Sequence, residues 1–181
     1  MRWWRELPRR DVVTLLESVR VQPQRVTITG YERELFGGWS VDGACDTRQR
    51  VLVRWFGGSG CKLDEDAAIA DPYTGKDVLS AQVDVDHVYP LAAAWDFGAA
   101  QWDSSRRREF ANDLDANLVP TMSAINREKS DLTPSEWMPT QRELRCDYAA
   151  RFVAVAVKWD LAVSVDDWSV MAKSCGIRAV R

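Results

Sequence analysis

An aspartate followed directly by a histidine, at the end of an alternating run, is the most chemically pointed feature of the sequence. Asp86 and His87 lie in VDVDHVYPL at 83–91, which puts an anionic oxygen donor and a base that titrates near neutrality in one loop. Alone the pair is weak, because a single histidine is more often a satisfied core or turn residue. A second cluster, NLVPTMSAINREKSDLTP at 117–134, adds Asn117, Asn126 and Lys129. Asn126 and Lys129 are three apart and share a helix face. An Asn oxygen and an Asp carboxylate are hard donors of the kind that Mg²⁺ or Mn²⁺ accepts while keeping several waters. A lysine one turn later can meet a phosphate. One oxygen-ligated cation with a separate base is a kit for breaking a phosphodiester.

The composition narrows the alternatives. The chain has 181 residues, one His, nine Trp and a formal charge of -3, a size that fits one domain with its own core. A single His excludes zinc sites with two or more histidines and proton relays between histidines. The charge is uneven: residues 1–60 carry ten Lys/Arg against seven Asp/Glu, 61–103 two against nine, and 104–181 twelve against eleven. The acidic middle, which holds the His, suits a cation site better than a phosphate-coating surface. A phosphatase or nucleotide hydrolase is disfavoured by the lack of a Walker loop or paired-carboxylate metal cluster. The positive start MRWWRELPRR leads into no uninterrupted apolar stretch of about 7–15 residues, so no signal peptide or membrane span is read and a cytoplasmic address is expected. Cys45, Cys61, Cys146 and Cys175 are too irregular for a CxxC knuckle. They allow three pairings if oxidised, and a cytoplasmic address makes free thiols the default.

The elements that must position these residues follow from periodicity. Helical spacing covers 11–19, 47–56 and 141–159, the last with Leu144, Tyr148, Phe152, Val155 and Trp159 as a buried stripe. A short strand is predicted at 26–29 and a half-buried strand over 78–88, ended by Pro90. DPYTG at 71–75 is a turn. LAAAWDFGAAQW is a short helix broken at Gly98, and Ser104 or Ser105 caps a helix over 106–116. A short helix from Thr121 or Ser123 carries Asn126 and Lys129, and a last helix starts at Ser164 with Asp167 completing an imperfect capping box.

Asp86, His87, Pro90, Asn117, Asn126 and Lys129, in that order, resemble the ββα-metal motif of HNH nucleases. With CDTR at 45–48, DPYTG, DHVYPLAAAWDFGA at 86–99, RREFANDLDANL at 107–118, EWMP at 136–139 and RCDYAARFVAV at 145–155, the chain is similar over 31–165 to the HNH-type group of the GmrSD C-terminal nuclease (DUF1524). The resemblance implies an α+β fold, a two-stranded hairpin plus helix embedded in a mainly helical single domain. It implies a DNA endonuclease in which His87 is the general base, Asp86 and Asn126 hold Mg²⁺ or Mn²⁺, Asn117 keeps the His87 loop oriented, and Lys129 offsets charge at the phosphate. Products would carry 5′-phosphate and 3′-hydroxyl ends. Many HNH proteins have His where this chain has Asn126, and the Asn form still offers an oxygen. Zinc-stapled members have two CxxC pairs, so no structural zinc is expected. Exported relatives leave secretion open.

These readings divide the chain into an N-terminal extension (1–30), a nuclease domain (31–165) and a C-terminal helix or tail (166–181). Arg106, Arg107, Arg108, Arg127 and Arg142 are the candidate DNA-backbone contacts, in competition with internal ion pairs to Asp113, Asp115 or Glu128. The expected partner is double-stranded DNA with weak sequence preference, and the chain a monomer. The competing reading is a non-catalytic DNA-binding or phage-assembly module that keeps the fold. Tryptophans 55, 95, 102, 137 and 159 are assigned to packing, and Trp3 and Trp4 to a core clamp or a partner patch.

Overall fold

The computed structural model describes residues 8–178, so the expectations for Trp3 and Trp4 lie outside the described residues. In chain order the elements are α1 (Arg9–Ser18), β1 (Arg20–Gln22), a 3₁₀ turn (Arg33–Phe36), β2 (Val41–Asp42), β3 (Cys45–Asp46), α2 (Thr47–Phe56), β4 (Gly58–Ser59), β5 (Lys62–Leu63), β6 (Ala68–Ala70) and β7 (Asp77–Leu79). There follow a 3₁₀ turn (Ser80–Gln82), β8 (Val83–His87), α3 (Leu91–Asp96), a 3₁₀ turn (Ala99–Gln101), α4 (Ser104–Ala111), β9 (Leu118–Met122), α5 (Ser123–Lys129), α6 (Arg142–Trp159), β10 (Ala162–Ser164) and α7 (Val165–Ser174). The result is a mixed α+β domain in which small two-stranded ribbons are set into a mainly helical frame.

The ribbon that matters most joins β8 and β9, antiparallel, with Val83 opposite Met122 and His87 opposite Leu118. Helix α5 follows β9 without a gap and packs on both strands. Val83, Val85 and Leu118 from this ribbon close a small core with Val51, Leu52 and Phe56 of α2. The larger core is built around α6, where Tyr148, Phe152, Val153, Val155 and Ala156 are fully buried against Tyr89, Phe97 and Phe110. Tyr89 stacks on Phe152 at 4.4 Å, and Phe110 meets Trp102 and Trp159 edge-on, both at 5.5 Å. Trp95, Trp102, Trp137 and Trp159 thus belong to this core or its margin, and Trp55 to the seam with the smaller one.

Local departures from the sequence reading have local causes. No strand forms at 26–29; the nearby strand is β1, which runs parallel to β10. The stretch 78–88 is not one strand: β7 pairs with β6, and the 3₁₀ turn at Ser80–Gln82 separates it from β8. Helix α4 is capped by Asp103, whose side chain accepts from Arg106 N at 2.8 Å, and it ends at Ala111 rather than reaching 116. Strand β9 contains Pro120, which breaks a ladder inside a sheet but is tolerated in a strand with a single neighbour. Helix α7 has the full reciprocal box, with Ser164 Oγ accepting from Asp167 N at 2.9 Å and Asp167 accepting from Ser164 N at 3.2 Å.

The expectation of free thiols is overturned, because Cys45 pairs with Cys61 and Cys146 with Cys175. The first bridge ties β3 to the end of the β4–β5 ribbon, and the second ties α6 to the end of α7. For closed loops with sequence separations of 16 and 29 residues, chain entropy gives a stabilisation of about 3–4 kcal/mol each. Denatured, unreduced protein is therefore expected to show no reactive thiol with a chromogenic disulfide reagent. Cys146→Ser with Cys175→Ser should cost about 2–4 kcal/mol in urea unfolding.

Candidate active site

His87 ends β8 with its ring buried. Nε2 lies 2.9 Å from the Ala111 carbonyl at the end of α4. A carbonyl only accepts, so Nε2 carries the ring proton and Nδ1 keeps its lone pair. The opposite restraint is Trp39, whose indole stacks on the imidazole at 5.6 Å and 10°. Burial pushes the His87 pKa down to about 3; the Ala111 carbonyl opposes this, and the positive charges of Arg33 and Lys129 add to it. His87 is accordingly neutral at neutral pH.

Asn117 holds the loop that follows. Its backbone carbonyl accepts from Val88 N at 2.8 Å, its side-chain oxygen accepts from Tyr89 N at 2.8 Å, and its amide donates to Tyr89 O at 3.3 Å. Fully buried, it has an amide's two-sided hydrogen-bonding capacity and spends it on Tyr89, in the loop after β8. Arg151 of α6 braces the approach to it by donating to Ala116 O and Asp115 O, both at 2.8 Å.

Asp86 is held from two sides. Tyr73 Oη donates to Oδ2 at 2.7 Å, and Lys129 Nζ lies 3.1 Å from Oδ1 and 3.0 Å from Oδ2. Lys129 also donates to the His87 carbonyl at 2.9 Å and has no exposed surface. Burial pushes the Asp86 pKa up, and Lys129 and Tyr73 oppose it. Tyr73 is placed by Asp71, in the turn 71–75. Asp71 Oδ1 accepts from Tyr73 N and Thr74 N at 2.8 and 2.9 Å, while Oδ2 accepts from Thr121 Oγ1 and Met122 N at 2.9 and 2.6 Å. One carboxylate thus ties the turn to the junction of β9 and α5.

Asp86, His87 and Asn126 line one open cavity of about 550 Å³, with Arg127 of α5 and with Tyr31 and Arg33 from the chain before the first ribbon. Asn126 is half-buried there. Asn117 and Lys129 are not among the residues that line this cavity, and Lys129 holds Asp86 and the His87 carbonyl from behind. Among the described residues no group of three or more His, Cys, Asp or Glu is arranged to hold a metal ion. The donors that fit one are Asp86 and Asn126: two hard oxygens on a shared cavity, the carboxylate already oriented by donors on both of its atoms.

The arginines expected on a DNA rim divide sharply. Arg127 lines the cavity. Arg106 donates to Trp159 O at 3.1 Å and lies over the Trp102 ring, and Arg107 donates to Leu35 O at 3.2 Å and to Trp102 O. The side chain of Arg108 packs against Gly37. Arg142 is exposed at the start of α6 and is not part of the cavity wall. The acids named as their competitors have other partners: Asp113 with Trp159 Nε1 and Lys158, Asp115 with Arg54, and Glu128 with Trp137 Nε1. The residues that sequence reading passed over are Trp39, Asp71, Tyr73 and Arg33. DPYTG reads as a turn and a framework motif, and nothing local ties it, Arg33 or Trp39 to His87 or Asp86.

The family model described as "GmrSD restriction endonucleases, C-terminal domain" matches residues 61–173, more than half of the chain. A curated protein of Arthroderma benhamiae described as "Uncharacterized secreted protein" is 35% identical over 166 residues, covering 87% of this chain and 80% of the relative. No solved structure matches. With the Asp-His strand end and the Asn-bearing helix inside the matched segment, the chain belongs to the GmrSD C-terminal domain family of HNH-like nucleases.

Proposed function

We propose that the protein is a divalent-metal-dependent endonuclease that hydrolyses DNA phosphodiester bonds, using a ββα-metal core formed by β8, β9 and α5. The observation that carries this reading is the single cavity shared by His87, Asp86 and Asn126. His87 Nδ1, left without a proton by the Nε2 bond to Ala111, takes a proton from the attacking water. An anionic phosphate beside the imidazole favours its protonated form. Asp86 and Asn126 would hold Mg²⁺ or Mn²⁺, which when bound offsets the charge gained on the phosphoryl and leaving oxygens. Tyr73 and Lys129 fix the Asp86 carboxylate, and Asn117 fixes the turn after His87, so the base and the oxygen donors keep one geometry through the reaction. Attack that forms the new P–O bond from water and breaks the P–O3′ bond, with the 3′-oxygen leaving and taking up a proton, gives 5′-phosphate and 3′-hydroxyl ends.

Arg127 is the proposed backbone contact that the cavity favours. The two disulfides and the relative described as secreted support work in an oxidising compartment, in place of the cytoplasmic address expected from the N-terminal residues. Among the described residues no helix is long and apolar enough to cross a membrane. The reading is tested by nicking of supercoiled plasmid in Mg²⁺ or Mn²⁺ against EDTA, with ligation of the linear product to report its ends.

A further inference from the structure

Arg33 stands ahead of the segment that the family model matches, in a part of the chain the motif does not describe. It opens the 3₁₀ turn Arg33–Phe36 and is exposed, and no hydrogen bond or ion pair engages its guanidinium among the described residues. Of the other arginines nearby, Arg127 lines the same cavity, while Arg25 is spent on Asp96 and Asp131 and Arg107 on carbonyls. Arg33 lines the main cavity and also a smaller one of about 110 Å³ walled by Gly37, Gly38 and Trp39. His87 and Leu91 are the other residues common to both, so Arg33 borders the place where the two cavities meet at the imidazole.

The turn that carries Arg33 is firmly mounted. Phe36 is fully buried, 6.2 Å from Phe110 and 6.5 Å from Trp95, and Tyr31 packs on Trp95 at 6.2 Å. Arg107 holds the Leu35 carbonyl at 3.2 Å. Upstream, Ile28 is clamped at both ends, its amide donating to Asp96 at 2.8 Å and its carbonyl accepting from Trp95 Nε1 at 3.2 Å. The buried aromatic anchor fixes the backbone that carries the exposed Arg33 at the edge of both cavities. The facing carboxylates leave the role of its partner open: Asp86 is paired with Lys129 and Asp131 with Arg25.

We propose that Arg33 binds the non-bridging oxygens of the phosphodiester next to His87, so that the N-terminal segment completes a substrate site the matched segment holds only in part. The inference rests on the nuclease reading for the identity of the phosphodiester, and its chemistry is that of a guanidinium fork on a phosphate. It also gives Arg107 a purpose other than DNA contact, which is to hold the turn that aims Arg33.

The test is fluorescence anisotropy of a fluorescein-labelled 20-base-pair DNA duplex, titrated in EDTA with the wild-type chain, Arg33→Ala, Arg33→Lys and Lys173→Ala. Lys173 is exposed on α7 and outside both cavities, and controls for the loss of one positive charge. Arg33→Ala is expected to weaken binding about 10-fold and to lower the slope of log K against log salt by about one, the loss of one phosphate contact. Arg33→Lys should restore the slope and only part of the affinity. Thermal melts of the variants should coincide with wild type, since the side chain is exposed. Arg33→Ala that binds like Lys173→Ala, or a wild-type chain that binds no duplex, overturns the inference. If Arg33→Ala binds weakly but the wild-type chain nicks no plasmid with any divalent ion, the phosphate contact stands and the nuclease reading falls.

Discussion

Replacing His87 by Ala is expected to lower DNA cleavage by about 10²–10⁴-fold, the range that a positioned general base contributes. The size follows from how the ring is prepared. The Ala111 carbonyl fixes the tautomer, Trp39 stacks on the ring, and His87 lines the cavity. No second histidine exists to take over, since the sequence has one. Because Ala also removes a buried ring from under Trp39, His87→Gln is the paired variant, with an amide that can still donate toward Ala111. Single-turnover cleavage should fall in both variants, while anisotropy with the same duplex in EDTA should change little. Cleavage by His87→Gln at the wild-type rate would remove the imidazole from the chemistry.

Lys129→Met is expected to destabilise the protein by about 3–5 kcal/mol, because it leaves the buried Asp86 carboxylate without its counter-charge. For a chain of this size that is a fall of about 10 °C in melting temperature. Lys129 has no exposed surface and is bonded to both Asp86 oxygens and to the His87 carbonyl, so its loss also loosens the strand end that carries the base. The double variant Asp86→Asn with Lys129→Met should recover part of the stability, since the isolated charge is gone, and a double-mutant cycle by urea unfolding measures the coupling. A single variant as stable as wild type would show that Lys129 does not neutralise Asp86.

Much of this arrangement was legible in the amino-acid order. Helix α2 and helix α6 follow from apolar spacing, and Asp86, His87, Asn117 and Asn126 stand out because their types and order have few other uses. Strand β9 was hidden by Pro120, which argues against a strand unless it is known that only one neighbour pairs with it. Asp71 and Tyr73 read as turn residues. Their contacts with Thr121, Met122 and Asp86 span separations of 50, 51 and 13 residues, and no local pattern encodes them. Trp39 and Arg33 were out of reach for the same reason. The arginine run at 106–108 reads as a charge cluster, and its internal contacts were not legible: the chain folds carbonyls and aromatic faces against Arg106 and Arg107. The acidic middle segment is likewise partly structural: Asp71, Asp86 and Asp96 are buried and each is saturated with donors. Cysteine pairing was undetermined among three connectivities until the chain ends of α6 and α7 were brought together.

The most direct test of the central claim is conversion of supercoiled plasmid to nicked and linear forms by the purified, disulfide-intact wild-type chain. The account predicts cleavage with Mg²⁺ or Mn²⁺, none in EDTA, and linear products that a DNA ligase rejoins without end treatment. Cleavage undiminished by EDTA, or no cleavage of any DNA with either ion, would contradict it.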